Sequence, residues 1–193
     1  DWGRLTCLIM ALSAKGNILV TGGAGFIGSA LVWELNNRGY DNVIICDRLG
    51  EDERWANLAP LRFADYIDAD DLLQGVCHKP DFLGDVTAVF HLGACSDTTE
   101  DDADYLLANN FEFTKKLAEW AVQVRSRFVY ASSAATYGDG SSGMDDGEDD
   151  LSRYRPLNMY AYSKHMFDCY ARRQGISRSI IGLKYFNIFG PNE

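Results

Sequence analysis

Tyr160 and Lys164 lie four residues apart in the run Tyr160-Ala161-Tyr162-Ser163-Lys164, which opens a helical pattern over Met159 to Gln174. Four residues is about one helical turn, so the ammonium stands beside the phenol. A phenol with a pKa of about 10 is a poor base at neutral pH. A lysine cation and an oxidised nicotinamide nearby favour the phenolate and lower that pKa. Tyr162 is only two residues from Lys164 and falls on another face, which leaves Tyr160 as the phenol. Just upstream, Ser132-Ser133-Ala134-Ala135-Thr136-Tyr137-Gly138 leaves the strand pattern Arg127-Phe128-Val129-Tyr130-Ala131. A serine hydroxyl at that strand end can hydrogen-bond a substrate hydroxyl that loses its proton. These are the groups that hydride exchange between an alcohol carbon and a nicotinamide requires. A lone Tyr-x-x-x-Lys spacing is also common on helix surfaces, so the reading depends on the elements around it.

The element that would hold such a cofactor is near the start. Asn17-Ile18-Leu19-Val20 is a short apolar run of strand type, and Phe26 to Arg38 carries Phe26, Ile27, Ala30, Leu31 and Leu35 at helical spacing. Between them stands Thr21-Gly22-Gly23-Ala24-Gly25-Phe26-Ile27-Gly28. Gly22, Gly25 and Gly28 sit where strand becomes helix. There the backbone must turn tightly, approach a pyrophosphate and let the helix pack on the strand. The helix N-terminus adds unpaired N–H groups and partial positive charge. The next apolar run, Asn42-Val43-Ile44-Ile45-Cys46, ends on Asp47. A ribose-binding carboxylate is expected about 20 residues beyond the glycines, which is where Asp47 falls. The turn is therefore expected to bind a dinucleotide.

Strand and helix patterns alternate along the rest of the chain. A short strand is expected at about Leu61 to Asp65, a helix around Asp68 to Val76 and a strand at Ala88-Val89-Phe90-His91. Asp101 to Val124 reads as one long amphipathic helix, with Tyr105, Leu106, Phe113, Leu117 and Trp120 as its core stripe. Ser179 to Phe186 is the final strand. This alternation implies an α/β fold, a doubly wound parallel sheet of Rossmann type with right-handed crossovers. Residues 1–16 read as an N-terminal extension and 17–193 as the dinucleotide-binding domain.

Composition narrows the functional classes. A chain of 193 residues with 47% hydrophobic content suits one α/β domain and part of a second. The net charge of −10 argues against nucleic acid, because phosphate contacts need a basic face. The acidic run from Asp139 to Asp150 reads as a solvated loop rather than a metal site. Cys7, Cys46, Cys77, Cys95 and Cys169 form no C-x-x-C pair, as expected of reduced thiols in a cytoplasmic protein. His78, His91 and His165 lack metal-ligand spacing, and His91 at the end of a strand pattern reads as structural. No metal and no membrane span is expected. Leu5 to Leu12 resembles a signal core only faintly, with a strand following almost at once.

With the glycine turn, the serine strand and the Tyr-x-x-x-Lys helix in that order, the chain resembles the extended short-chain dehydrogenase/reductase family. Three longer runs sharpen the likeness: His91 to Glu100 (HLGACSDTTE), Tyr130 to Gly138 (YASSAATYG) and Tyr185 to Pro191 (YFNIFGP). They are most similar to the sugar-nucleotide epimerases that invert an ADP-heptose at C6″. The Gly93-Ala94-Cys95-Ser96 run with Thr98-Thr99-Glu100 is the discriminating part. The resemblance covers about Asn17 to Glu193. It implies that Ser133, Tyr160 and Lys164 are catalytic. It implies cofactor contacts at Phe26, Ile27, Asp47, Leu92, Gly93, Ala94, Cys95, Ser96, Asn109 and Lys164, beside the glycines. Arg48 matches an adenosine-ribose contact, and Arg54 a basic residue for the 2′-phosphate of NADP, with NAD as the alternative cofactor. Ser133 and Asn187 match substrate contacts. Two positions depart from the pattern: Leu92 where a glutamate is common, and Ala69 where a lysine is expected.

The resemblance further implies an ADP-sugar substrate and a homo-oligomer when full length. The reaction would be transient oxidation at C6″ to a ketone and return of the same hydride to the other face, with the product feeding lipopolysaccharide synthesis. In the family a second acid/base, a lysine, lies just past the Gly-Pro turn, so residues 1–193 read as a portion that is inactive alone and exposes apolar surface. A nucleotide-sugar 4,6-dehydratase would place an Asp-Glu pair after the serine strand, where this chain has Ala134-Ala135-Thr136. A UDP-hexose 4-epimerase and a non-catalytic NADP-binding domain are the alternatives.

Overall fold

The computed structural model describes residues 12, 15–145, 147 and 150–190. Cys7, most of the stretch 1–16 with its signal-like run, the acids Asp146, Glu148 and Asp149, and Pro191 lie outside the described residues.

Six parallel strands form one sheet in the order β3-β2-β1-β4-β5-β6. They are β1 (Asn17–Thr21), β2 (Val43–Asp47), β3 (Asp65–Asp68), β4 (Val86–His91), β5 (Arg127–Ser133) and β6 (Ile180–Tyr185). Strand order reverses between β1 and β4, and a crevice opens there beyond the carboxyl ends of the strands. β1 is the middle of the core, with Ile18, Leu19 and Val20 fully buried. Alternation along it feeds both faces. Ile18 and Val20 pack with Leu31, Val32 and Leu35 of α1 (Phe26–Asn37). Leu19 packs on the opposite face, whose cluster includes α2 (Ala69–His78), α4 (Phe113–Gln123) and α5 (Met159–Arg173). No described helix is long and apolar enough to cross a membrane.

The fold matches the expected doubly wound sheet, with four local corrections. The strand expected at Leu61 to Asp65 forms at Asp65–Asp68 instead. The Asn36 amide occupies the backbone of Arg62, donating to its carbonyl at 2.8 Å and accepting from its N–H at 2.8 Å, and β-pairing begins only beyond that anchor. On α1 the core stripe is Leu31, Val32 and Leu35, while Ala30 is exposed. The long helix expected over Asp101 to Val124 runs as α3 (Ala103–Leu106), a π-helical stretch (Leu107–Glu112) and α4. The wider turn rotates the two halves relative to each other. Leu106, Phe113, Leu117 and Trp120 are buried as expected, but Tyr105 is 46% exposed and faces the crevice. At the far edge, Ile181, Phe186 and Phe189 stand open to solvent.

Candidate active site

The glycine turn is shaped by close approaches of backbone to backbone. Gly22 has φ +69°, and a Cβ there would stand 2.6 Å from the Gly93 nitrogen. A Cβ on Gly28 would stand 2.0 Å from the Gly22 carbonyl oxygen, so α1 can seat on the turn only with glycine at that position. The start of α1 is left without a side-chain cap and without an acid in its first turn. The starts of α2, α3 and α5 are instead capped by Asp68, Asp102 and Asn158. An uncapped N-terminus at a glycine cradle fits a diphosphate, which would supply the missing acceptors.

Around this cradle the fold collects Gly22, Asp47, Arg48, Arg54, Gly93, Ala94 and Asn109 into one cleft. Asp47 is buried and braces the turn, accepting from the Ala24 N–H at 2.8 Å through one oxygen and from the Arg48 N–H at 2.8 Å through the other. Arg54 stands 3.8 Å from Asp47 and pairs closely with Asp52 at 2.6 Å. Phe26 lies where the chain returns past β6: a Cβ on Gly190 would be 3.5 Å from its ring. Asn187 is exposed in that returning segment.

The second group of residues gathers at the end of β5. Tyr160 and Lys164 share one face of α5 as expected, whereas Tyr162 is 49% exposed. Lys164 is buried and donates to the Ala131 carbonyl at 3.0 Å. Ser133 is the last residue of β5, and its hydroxyl accepts from the Ala135 N–H at 3.1 Å to start a 3₁₀ turn. Leu92 to Ser96 leaves β4 between the two groups. Its Cys95 exchanges two backbone bonds with the Asn110 amide, at 2.9 and 3.1 Å. The same amide donates to Ser163 at 3.1 Å, and Ser163 donates to the Tyr160 carbonyl at 2.7 Å. Asn110 sits in the π-helical stretch, whose irregular turn delivers it to both the Leu92–Ser96 loop and α5.

His91 is a satisfied core residue, as its strand-end position implied. Thr114 donates to the Asn110 carbonyl at 2.5 Å, so its oxygen accepts from His91 Nε2 at 2.8 Å. Nδ1 then accepts from Thr21 at 2.7 Å, while Thr21 accepts from the Gly93 N–H at 3.1 Å. Burial, and secondarily the Lys164 charge, pushes His91 down to about 3, so it is neutral under ordinary conditions.

Asp168 and Lys184 were not singled out from sequence. Asp168 accepts from Tyr130 at 2.7 Å, Ser132 at 2.8 Å and Lys184 at 2.7 Å, and Lys184 also donates to Thr136 at 2.7 Å. Thr136 donates to the Ser133 carbonyl at 2.7 Å. One sequence signal was present: Asp168 lies one further turn along the Tyr160–Lys164 face.

Burial pushes the Lys164 ammonium down to about 8 from its ordinary 10.5, opposed by the Asp168 and Cys95 charges. Between those values the unfolded chain binds a proton that the folded chain lacks, so this group makes stability rise with pH. The gain is expected to be on the order of 2 kcal/mol between pH ~8 and ~9.5. Denaturant midpoints measured across that range should show it in the parent and not in Lys164→Met. Parallel curves for the two proteins would contradict the assignment.

Among the described residues no three or more His, Cys, Asp or Glu side chains gather as a metal site. Cys46, Cys77, Cys95 and Cys169 are unpaired thiols. The arrangement offers a diphosphate site at the start of α1 and gathers Ser133, Tyr160 and Lys164 at the end of β5.

The chain is 50% identical over 175 residues to the ADP-L-glycero-D-manno-heptose-6-epimerase of Nitratidesulfovibrio vulgaris, covering 91% of this chain and 54% of that protein. It thus spans about half the length of the curated relatives it matches. Among solved structures it is similar to the Helicobacter pylori enzyme of the same name, with TM-score 0.74 and 28% identity over 93% of this chain and 57% of that one. It is also similar to the UDP-glucose 4-epimerase of Brucella ovis in complex with NAD, with TM-score 0.68 and 25% identity over 90% and 52%. Residues 18–193 match the NAD dependent epimerase/dehydratase family, and the chain belongs to that family.

Proposed function

We propose that this chain is the cofactor-binding part of an epimerase converting ADP-D-glycero-D-manno-heptose to ADP-L-glycero-D-manno-heptose through a transient 6-ketone. The observation that carries the reading is the 50% identity to a heptose 6-epimerase over 91% of the chain. The solved UDP-sugar enzymes stand at 25–30%, the range in which the solved Helicobacter pylori heptose 6-epimerase also falls at 28%. A cytoplasmic reaction supplying a lipopolysaccharide precursor follows from that substrate.

A nicotinamide, when bound, would supply hydride acceptance and donation. Tyr160 would take the proton of the C6″ hydroxyl as hydride leaves, and a second acid/base would supply a proton to the oxygen once the ketone has presented its other face. Ser133 holds the sugar oxygen. Lys164 sets its positive charge one helical turn from Tyr160. Because one residue reaches one side of the carbon, we place the second acid/base and most of the sugar site in the half that the relatives carry and this chain does not span. Residues 1–193 are then inactive alone.

The test joins residues 1–193 to the remaining half of the Nitratidesulfovibrio vulgaris relative and incubates the chimera with ADP-D-glycero-D-manno-heptose and NADP. C6″ inversion read by NMR is expected from the chimera and not from residues 1–193. Turnover of a UDP-hexose at C4 instead would favour the UDP-hexose 4-epimerase reading, and turnover by residues 1–193 would remove the need for a second half.

NADP is the proposed cofactor. Arg54 and Arg48 can pair with a 2′-phosphate, and a charge-assisted contact contributes about 1.5–3 kcal/mol. Titration of both nucleotides is expected to give tighter NADP binding, and equal or reversed affinities would reject this preference.

A further inference from the structure

Arg48 spans the adenosine end of the cleft. From the end of β2 its guanidinium reaches Asp70 in the first turn of α2 at 2.6 Å and donates to the Asn109 side chain of the π-helical stretch at 2.7 Å. The side chains of Arg48 and Asp70 are 46% and 75% exposed, so the strap lies across the mouth of the crevice rather than within the core. Both partners draw on N–H groups that a phosphate would otherwise use. The other arginine is similarly engaged, with Arg54 paired to Asp52 at 2.6 Å. Asp47, Asp52, Asp68 and Asp70 thus set four carboxylates against two guanidiniums at this end of the site. Ala69 presents only a methyl to the cleft. The α2 N-terminus offers little compensation, because Asp68 already caps it through the Asp70 N–H at 2.8 Å.

Resting on the reading of this cleft as a dinucleotide site, we propose that Asp70 is a cofactor-specificity residue that weakens binding of the 2′-phosphorylated dinucleotide. A ribose hydroxyl fits beside Asp47 with the strap closed. A 2′-phosphate must take Arg48 from Asp70 and then remain beside that carboxylate. Asp70 therefore discriminates by holding the arginine and by like-charge repulsion, and neither effect acts on NAD. NADP preference in this chain is set by the balance of Arg54 and Arg48 against Asp70.

The experiment measures NADP and NAD dissociation constants by calorimetry for residues 1–193 carrying Asp70→Ala, Asp71→Ala or no change. Asp71 is in the same helical turn and carries the same charge, with no contact to Arg48. Asp70→Ala is expected to tighten NADP about fivefold or more, leave NAD within about twofold, and lose part of the gain at high salt. Asp71→Ala is expected to do much less. Unchanged NADP affinity in Asp70→Ala would overturn the proposal, as would equal tightening by both variants, which would be a general charge effect. If the parent binds neither nucleotide, the dinucleotide reading fails first, and the proposal with it.

Discussion

Replacing Tyr160 by Phe is expected to lower turnover of the complete enzyme by about 10²–10⁴-fold, the usual size of a lost acid/base group, while nucleotide affinity is retained. The substitution removes one oxygen and leaves the helix intact. Asn158 caps the first turn through the Ala161 N–H at 2.8 Å, and Ser163 bonds the Tyr160 carbonyl, so the backbone there is fixed by groups the variant keeps. Tyr162→Phe is the internal control, since its side chain is half exposed on another face of α5. Steady-state rates with the chimera, beside nucleotide titrations of both variants, separate chemistry from binding. A large loss in Tyr162→Phe with a small one in Tyr160→Phe would show that the assigned phenol is the wrong one.

The parts of this site legible in the sequence are those built from near neighbours. The glycine turn, Asp47 at the end of β2 and the Tyr160–Lys164 spacing each lie within one strand–turn–helix unit, where periodicity fixes geometry. Residues acting across the fold left weaker traces. Asp168 meets Ser132 across 36 positions and Lys184 across 16, and no local pattern reports such a pairing. In sequence, Asn110 is one more polar residue within the stretch from Asp101 to Val124. Its role depends on a π-helical turn that an apolar stripe does not reveal, and the same turn moved Tyr105 from the expected core to the cleft. β3 slipped because an edge strand with few buried side chains takes its start from a side-chain anchor, Asn36, rather than from its own pattern. In each case the sequence carried the residue but not its partner.

The buried pair of Asp168 and Lys184 gives the second large effect. Lys184→Met is expected to destabilise the fold by about 3–5 kcal/mol, because buried Asp168 loses its hydrogen-bonded cation and keeps the hydroxyls of Tyr130 and Ser132. That is a large share of the roughly 5–15 kcal/mol that holds a domain folded. The double variant Asp168→Asn/Lys184→Met, which removes both charges, is expected to regain most of the loss, since a buried pair contributes little beyond satisfying itself. Denaturant unfolding of the two singles and the double gives the coupling directly. The pair also bears on Ser133. Lys164 bonds the carbonyl of Ala131, Asp168 holds the hydroxyl of Ser132, and Lys184 reaches the Ser133 carbonyl through Thr136. Adjacent side chains on a strand point to opposite faces, so fixing Ser132 also sets the direction of Ser133. The double variant should therefore recover stability more fully than turnover. Equal recovery of both would confine the pair to a structural role, and additive losses in the two singles would show that the charges are not coupled at all.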